Sequence, residues 1–548
     1  MPARLLPALF LLSFMPLGAQ TNEDDKTLRV FIFAGQSNMV GSDSKVADIK
    51  RFPPFAGLGK IQPDVRFAYC LGRENKTRSD GWGFLQPVNN IVGPELSFAR
   101  KVTSRIKAPI AIIKVAAGGT HLGGDWNPDE PIGFKMYPLA LQAVRDALAD
   151  LDERKIAWRL EGVMWHQGEN DMFNENYMKN YAANLKNFLA CWRRDLRAPD
   201  LKFYLGELCT KTIWGMDLRP RMYAISVSQR SVAGSDPRAE YIPTAHIGVE
   251  IGGGVGLHYH YGTLGQLQHG ENYADAYLRT IGLRIDRERK FSNGWPYARS
   301  QPVNLFILAG HRNMEGERAF TQELRKHPRG DQLASDQPDI AFKYSLGGGV
   351  IRSAGWEPLG LTGHYDNFGP ELSFGASLHS EGFQNVAIAK FTHSGSQIID
   401  WTPAGSMARS RHLYPRFINF VKESISELEA KGHRVTLAGI CYHLGENDMS
   451  FQPYRREAAK RLQEMITQSR KDLQRPGLSW ILSQQRPTDD KRVNDIDVVA
   501  NVAALAAADP HTSHLKAFSL PPQEKKLVID TAGIIRLGEL LAKAVAKP

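Results

Sequence analysis

The sequence predicts two consecutive α/β domains, each with a parallel β-sheet between layers of helices. Three observations lead to this prediction. The chain has 548 residues, enough for two to four domains at roughly 100–200 residues each. Blocks of sequence in the first half recur in the same order in the second half. Within each half, short apolar segments alternate with amphipathic helical ones, the pattern of a parallel sheet with crossover helices.

The repeat is visible in four separated pairs of segments. LRVFIFAGQSNMVG (28–41) matches NLFILAGHRNMEG (304–316), and GPELSFA (93–99) matches GPELSFGA (369–376). WHQGENDM (165–172) matches YHLGENDM (442–449), and TLGQLQHGENYA (263–274) is echoed by AGIIRLGELLA (532–542). We therefore predict one domain over residues 26–290, a linker over residues 291–302 and a second domain over residues 303–548.

In the first domain we predict five strands and four helices. The predicted strands are Leu28–Ala34, Pro109–Val115, Leu160–Trp165, Leu201–Glu207 and His246–Ile251. The predicted helices are Pro94–Ile106, Tyr137–Leu151, Asn176–Arg194 and Thr263–Ile285. Reactive residues of parallel sheets lie at the carboxyl ends of strands, so the motifs that follow these strands are the candidates for a site.

The first 20 residues have the pattern of a secretory signal peptide. Arg4 supplies a basic start, residues 5–17 are apolar, and Leu17-Gly18-Ala19 resembles a cleavage site. The segment is shorter than the ~20 apolar residues of a membrane span. We expect a protein without a membrane span that is secreted or periplasmic after the signal peptide is removed.

Composition argues against several classes of partner. Lys and Arg number 68 against 58 Asp and Glu, yet they are scattered, so we predict no nucleic-acid partner. The 4 cysteines are too few for a disulfide framework and form no CxxC pair, so neither a metal site nor a cofactor is predicted.

Ser37 is the candidate nucleophile. It lies in Gly35-Gln36-Ser37-Asn38, directly after a buried strand, where Gly35 permits a sharp turn. A serine at this place is also a common helix N-cap. The segment is not a GxSxG elbow, because Met39 takes the place of the second glycine.

His260 is the candidate general base, because it precedes the last helix and can reach back over the sheet edge. His258 lies two residues earlier and would face the same side of a strand. A metal pair or a solvated histidine-rich loop are the alternatives, although no third ligand stands at a suitable spacing.

The segment His166-Gln167-Gly168-Glu169 ends another strand. Glu169 is a candidate for the acid of a Ser–His–acid triad, and the Gln167 amide is a candidate oxyanion donor. Gly119, in a Gly-Gly-Thr turn after the strand 109–115, offers a backbone N–H for the same purpose.

These motifs together resemble the SGNH-type carbohydrate esterases, in particular the sialate O-acetylesterase domain and carbohydrate esterase family six, which contains acetylxylan esterases. The residues that carry the resemblance are GQSNM (35–39), GPE (93–95), GGT (118–120), HQGEND (166–171) and HYGTLG (260–265). The resemblance covers nearly all of residues 28–286. It implies a flavodoxin-like three-layer α/β/α fold and hydrolysis of O-acetyl esters on sugars through an acetyl-serine.

Carried over by position, the resemblance makes Ser37 the nucleophile and His260 the base. It assigns the oxyanion hole to the N–H groups of Ser37 and Gly119 with the Gln167 side chain. Related hydrolases have an Asp two or three residues before the histidine, which this sequence lacks. The resemblance then favours Glu169 as the acid and leaves His258 open as an alternative base.

The second domain serves as an internal control. It has Arg312 for Ser37, Leu444 for Gln167 and Val528 for His260, so we predict that it is inert as an esterase. Arginine stays protonated and cannot act as a nucleophile. Features retained in both copies, such as Glu95 beside the positive end of a helix, are interpreted as scaffold. A pocket made basic by His311 and Arg312 would hold an acidic sugar, or it is simply decayed.

Two function hypotheses follow. The first is a secreted carbohydrate O-acetylesterase with one active and one degenerate domain, acting on an acetylated carbohydrate. The second is a glycan-binding protein without turnover, in which Trp126 and Trp401 would stack on sugars, although most tryptophans are core residues. The intact set of Ser37, His260 and Gln167 favours the first.

Overall fold

The computed structural model describes residues 26–72, 76–209, 212–213, 216–244, 246–247, 259–283, 288–362, 364–408, 411–450, 452–485, 498–515 and 527–546. The predicted signal peptide and His258 lie outside these residues. Within the described part of the chain, no helix has the length and apolar character needed to cross a membrane.

The first domain contains ten strands and six α-helices among the described residues. The strands are β1 Leu28–Gly35, β2 Gln62–Leu71, β3 Thr77–Arg78, β4 Gly83–Leu85, β5 Ile110–Ala116, β6 Trp158–His166, β7 Lys202–Gly206, β8 Thr212–Ile213, β9 Met216–Asp217 and β10 Ala239–Ile242. The helices are α1 Ser37–Val40, α2 Glu95–Thr103, α3 Met136–Glu153, α4 Glu175–Asp195, α5 Arg219–Ser235 and α6 Gly262–Thr280.

The second domain repeats this arrangement. Its strands are β11 Pro302–Gly310, β12 Gln337–Leu346, β13 Ile351–Arg352, β14 Glu357–Leu359, β15 Val386–Thr392, β16 Arg434–His443, β17 Trp480–Ser483 and β18 Thr512–His514. Its helices are α7 Arg312–Glu315, α8 Thr321–Leu324, α9 Gly330–Ala334, α10 Glu371–Ser380, α11 Leu413–Ala430, α12 Glu446–Ser450, α13 Gln452–Asp472, α14 Val498–Ala507 and α15 Thr531–Val545.

Each domain is built on one mostly parallel sheet with the same strand order. The first sheet runs β10-β7-β6-β1-β5-β2 with all neighbours parallel, and β3 and β4 add antiparallel edges to β2. The second runs β18-β17-β16-β11-β15-β12 in the same way. The predicted tandem α/β fold is confirmed. The strand order differs in one detail from that of flavodoxin, in which the first strand lies between the second and the third. Here β5, the third parallel strand along the chain, lies between β2 and β1.

The central strand β1 shows why three layers form. Its residues alternate between two buried clusters, because successive side chains of a strand point to opposite faces. Val30 and Ile32 pack with helices α3, α4 and α5, while Phe31 and Phe33 pack with α2 and α6. Every residue of β1 is buried.

Four of the five strands predicted for the first domain are present, and most of the fifth, His246–Ile251, lies outside the described residues. Its first two residues, His246 and Ile247, lie in a turn. The sixth parallel strand is β10, which sequence reading missed, as it missed β2 and α5. The strand β10 has only four residues, mostly half-buried, so its apolar signal is weak.

The two domains pack directly against each other. Tyr454 donates a hydrogen bond to Asp217 over 2.9 Å, and the Arg219 guanidinium donates to the side chain of Gln397. Ala408 of the second domain lies in a core cluster of the first. The second domain is therefore docked on the first over buried contacts.

Candidate active site

Ser37, His260 and Asp43 form a hydrogen-bonded chain at the carboxyl edge of the first sheet. His260 Nε2 lies 3.0 Å from Ser37 Oγ, and His260 Nδ1 lies 2.6 Å from Asp43 Oδ2. A carboxylate can only accept, so Nδ1 carries the proton and Nε2 is left to accept one from the serine. This is the hydrogen-bond pattern of a Ser–His–Asp triad.

The turn between β1 and α1 sets the position of Ser37. Gly35 has φ +151° and approaches β6 so closely that a Cβ there would lie 2.1 Å from the His166 carbonyl oxygen. No residue with a side chain fits this turn. Ser37 follows as the first residue of α1, so its backbone N–H has no partner within that helix.

Asn38 fixes the segment that carries His260. Its side-chain amide donates to the Tyr259 carbonyl over 3.2 Å, and its oxygen accepts from the Tyr261 N–H over 3.2 Å. Asn38 is fully buried, and the Tyr259 and His260 rings lie side by side with their centroids 3.8 Å apart and their planes tilted by 31°. The residue after Ser37 thus holds both neighbours of His260, which brings base and serine together.

Asp43, the carboxylate that contacts His260, was missed by sequence reading. It lies in the turn after α1 with φ +62°, a left-handed conformation that Asp adopts more readily than most residues. Ser44 anchors this turn by donating to the Val92 carbonyl over 2.8 Å and accepting from the Val92 N–H over 2.8 Å. An aspartate at positive φ in a loop carries no periodic signal.

The structure does not bring Glu169, the predicted triad acid, to His260. Its carboxylate accepts from Asn38 over 2.7 Å and lies 3.1 Å from His166 Nε2, and it makes no recorded contact with His260. Burial opposes its charge, but His166 and the Asn38 hydrogen bond hold the pKa of Glu169 below its usual range. Glu169 supports Asn38 and is one step removed from the triad.

The structure treats the predicted side-chain oxyanion donor, Gln167, differently from the predicted backbone donors. The Gln167 amide does not fit its predicted role, because it is fully buried and donates to the Thr120 carbonyl over 3.0 Å and to Asp171. Gly118 lies beside Ser37, where an added Cβ would be 3.4 Å from the serine Cβ. This places Gly119 next to the site, and the N–H groups of Ser37 and Gly119 stay the predicted donors.

The turn that carries Gly119 is held by a buried carboxylate. Asp171 accepts from the N–H groups of Leu122 and Gly123 over 2.9 and 3.0 Å, and the Trp126 indole donates to Thr120 over 3.0 Å. Trp126 is fully buried, as is Trp401, so neither offers a sugar-stacking face. The Gln167–Asp171 pair therefore supports the turn that carries Gly119.

His258 lies outside the described residues, so its role as alternative base stays a prediction. Within the described ranges, no group of three or more His, Cys, Asp or Glu side chains is arranged to hold a metal ion. The 4 cysteines are all free and buried.

The second domain keeps the scaffold of this site and loses its reactive groups. Asn313 donates to the Leu527 carbonyl over 2.8 Å and accepts from the Ile529 N–H over 2.9 Å, as Asn38 does with Tyr259 and Tyr261. Val528 therefore stands where His260 stands, which confirms the predicted alignment.

Arg312 and His311 are enclosed. Arg312 is 1% exposed and lies 3.5 Å from Glu317, while His311 contacts the Tyr442 hydroxyl at 2.7 Å. Because both side chains are almost completely buried, they do not line an open basic pocket. Their burial does not support the predicted pocket for an acidic sugar, and a decayed site stays a prediction.

A buried ion pair explains why GPE recurs in both domains. Glu95 lies 2.7 Å from Lys114 and Glu371 lies 2.8 Å from Lys390, and all four side chains are buried. The sequence interpretation of Glu95 as scaffold is consistent with this pairing, which joins the start of α2 to β5.

An α/β/α domain in which serine, histidine and aspartate meet at the carboxyl edge of a parallel sheet has the architecture and geometry of the serine hydrolase class. The comparison with known families is more specific. The profile of "Carbohydrate esterase, sialic acid-specific acetylesterase" matches residues 27–279 and again residues 302–547. The chain belongs to this family, in two tandem copies.

Individual relatives are distant. The chain is 25% identical over 188 residues to a protein of Arabidopsis thaliana named as a probable carbohydrate esterase, and the match covers 32% of this chain and 66% of that one. It thus spans just under two thirds of that relative.

Solved structures give matches of low overall similarity. The Arabidopsis protein matches with 20% identity and a TM-score of 0.35, over 46% of this chain and 98% of that one. A carbohydrate acetylesterase from Xanthomonas citri matches with 16% identity and a TM-score of 0.35, over 47% and 58%.

Proposed function

We propose that the first domain is a carbohydrate O-acetylesterase that uses Ser37 as nucleophile, His260 as general base and Asp43 as the residue that orients the base. The observation that carries this proposal is the Ser37–His260–Asp43 chain, with distances of 3.0 and 2.6 Å. Membership of a carbohydrate esterase family supports an acetyl ester on a sugar or polysaccharide as the substrate class.

In the first half-reaction, His260 Nε2 takes the Ser37 proton as Oγ attacks the acetyl carbon. The resulting oxyanion accepts hydrogen bonds from the N–H groups of Ser37 and Gly119. His260 then returns the proton to the departing sugar oxygen, which breaks the ester bond and leaves acetyl-Ser37. Asp43 fixes the tautomer and stabilises the imidazolium.

In the second half-reaction, water attacks acetyl-Ser37 while His260 accepts the water proton. Collapse of the second oxyanion releases acetate, and the proton passes back to Ser37 Oγ. Ser37 is half-buried and Asp43 is 67% exposed, so the site opens to solvent and a large glycan can approach it.

The location of the protein belongs to the same proposal. We propose that residues 1–20 are removed as a signal peptide, which would place the esterase outside the cytoplasm with polymeric glycans. N-terminal sequencing of protein recovered from the periplasm or medium tests this, and an intact Met1 on the exported protein would contradict it.

The test of function is an acetate-release screen over acetylated xylan, pectin, algal glycans and O-acetylated sialic acid. We expect release from at least one substrate by the wild type and none by the Ser37→Ala variant. Glycan binding with no release from any substrate, nor from p-nitrophenyl acetate, would instead support the binding-protein hypothesis.

A further inference from the structure

The loop that carries Asp43 in the first domain has a matched loop in the second, and the two loops differ in one informative way. The Lys45 N–H donates to Thr263 over 2.8 Å, and the Phe320 N–H donates to Thr531 over 3.0 Å. These equivalent bonds to the first turn of α6 and α15 show that Phe320 occupies the position of Lys45. An exposed lysine in one copy is thus replaced by an aromatic residue in the other.

Phe320 does not pack mainly in its own domain. It is 1% exposed and lies in the core cluster of the first domain that contains Phe52, Phe55 and Ile49. Its ring meets the Phe52 ring edge-to-face at 6.2 Å. An aromatic pair of this geometry contributes beyond the area it buries, so this is an anchoring contact.

A second residue of the same loop also contacts the first domain. Arg318 stands at the position of Asp43, and its guanidinium lies 5.8 Å from the Phe52 ring. The matched triad acid has therefore become a cation that rests on the first domain. The loop that lost its catalytic acid now touches the loop that keeps one.

The contacted segment is the continuation of the Asp43 turn. After Ser44 it forms two short 3-10 helices, Val46–Arg51 and Pro53–Phe55, with Phe52 between them. The Asp43 side chain is 67% exposed, and its backbone has φ +62°. Few packing contacts of its own therefore hold Asp43 in position. Its alignment with His260 depends on how firmly the segment around it is anchored.

We propose that the second domain acts as a built-in positioning partner of the first, in which Phe320 packs on Phe52 and so holds Asp43 against His260. Phe320 is a positioning residue, because it touches neither substrate nor the reacting atoms. This inference rests on the proposed function of the triad and gives the degenerate domain a task in the reaction.

The test is a double-mutant cycle in the full-length chain with p-nitrophenyl acetate, whose activated leaving group keeps slow variants measurable. We expect Phe320→Ala to lower kcat about 10-fold with KM within about twofold. In an Asp43→Asn background, Phe320→Ala should change kcat less than about twofold, because the group it positions is already gone. Equal losses in both backgrounds, or no loss in either, would overturn the proposal.

Two further variants keep the test decisive. Tyr454→Phe removes a domain contact to Asp217 far along the chain from the Asp43 loop, and we expect kcat within about twofold of wild type. A loss equal to that of Phe320→Ala would mean that any weakened docking suffices and would refute a specific role for Phe320. If Phe320→Ala does not fold, Phe320→Leu is put through the same cycle, with a several-fold loss expected only when Asp43 is present.

The proposed function fails separately from this inference. Activity retained by Ser37→Ala would contradict the triad itself. An inactive Ser37→Ala variant together with a fully active Phe320→Ala variant would leave the triad standing and remove only the role of the second domain.

Discussion

Val528 occupies the position in the second domain that His260 occupies in the first. In each domain one asparagine side chain is hydrogen-bonded to the backbone of the residues on either side of this position. Asn38 holds Tyr259 and Tyr261, and Asn313 holds Leu527 and Ile529. The two copies therefore share the frame that presents a base, and only one of them presents it. Loss of reactive groups did not require loss of the fold.

Restoring single groups should not revive the second domain. In the full-length Ser37→Ala protein, we expect neither Arg312→Ser nor Arg312→Ser with Val528→His to restore hydrolysis of p-nitrophenyl acetate. Arg318 stands where the orienting Asp43 is needed, and the second site is enclosed. Turnover well above the Ser37→Ala background in either variant would refute the claim of degeneracy.

Ser37→Ala should abolish hydrolysis of acetyl esters. Loss of a triad nucleophile costs several orders of magnitude in kcat. The melting temperature should stay within a few degrees, because the serine is half-buried and its hydroxyl faces His260. Calorimetry and acetate release on the same sample check both parts, and a third of wild-type activity would be enough to reject Ser37.

The identity of the acid can be decided by comparing two carboxylates. Asp43→Asn should lower kcat by roughly 10⁴ with an unchanged melting temperature, because the amide favours the wrong tautomer of His260. Glu169→Gln should lower the melting temperature by several degrees and kcat by less than about tenfold, because Glu169 is buried on Asn38 and His166. The reverse ranking of kcat would return the acid role to Glu169.

The two histidines of the HYH segment should differ sharply in importance. His260→Ala is expected to lower kcat by several orders of magnitude, since its imidazole is the group that contacts Ser37 at 3.0 Å. His258→Ala should have a small effect. If steady-state kinetics show His258→Ala to be the more damaging change, the base has been assigned to the wrong residue.

Matched glutamates in the two domains should respond to pH in opposite ways. Burial raises the pKa of Glu446 to about 8, whereas the pKa of Glu169 is lowered, with His166 and Asn38 outweighing its burial. Between about pH 5.5 and 7.5, above the ordinary pKa of a glutamate and below the raised one, the folded chain keeps a proton on Glu446 that the unfolded chain has released. The free energy of unfolding therefore falls as pH rises through this window.

Glu446→Gln should remove this part of the pH dependence. We expect its melting temperature, relative to wild type, to rise between about pH 5.5 and 7.5 in calorimetry. Glu169→Gln is the matched control and should show no such trend there, because Glu169 is ionised in both states. A constant difference between Glu446→Gln and wild type across the window would contradict the raised pKa.

Local rules made parts of the site readable from sequence. A buried strand followed by Gly35 forces a turn, so the serine behind it had to stand at the sheet edge. The segment before α6 was readable too, because a helix start near that edge brings His260 back over it. The repeat then showed which groups the second copy lacks, since Arg312 and Val528 align with them without any coordinates.

Contacts across space decided the rest. Asp43 and Glu169 are both carboxylates in or next to segments that carry candidate site residues. Only the turn after α1 brings one of them, Asp43, to 2.6 Å from His260. From the sequence, the Gln167 amide could donate a hydrogen bond to a substrate or to the protein. In the structure it is buried beside Thr120 and Asp171 and donates to both.

By itself, then, the sequence determined the tandem α/β architecture and singled out Ser37 and His260 as candidates, because these follow from periodicity, glycine geometry and internal repetition along the chain. Only the tertiary structure decided which carboxylate lies at His260, what the Gln167 amide contacts, where β10 forms and how Phe320 packs into the neighbouring domain. Each of these depends on which atoms meet after folding, and a partner distant along the chain leaves no periodic trace in the residues that it contacts.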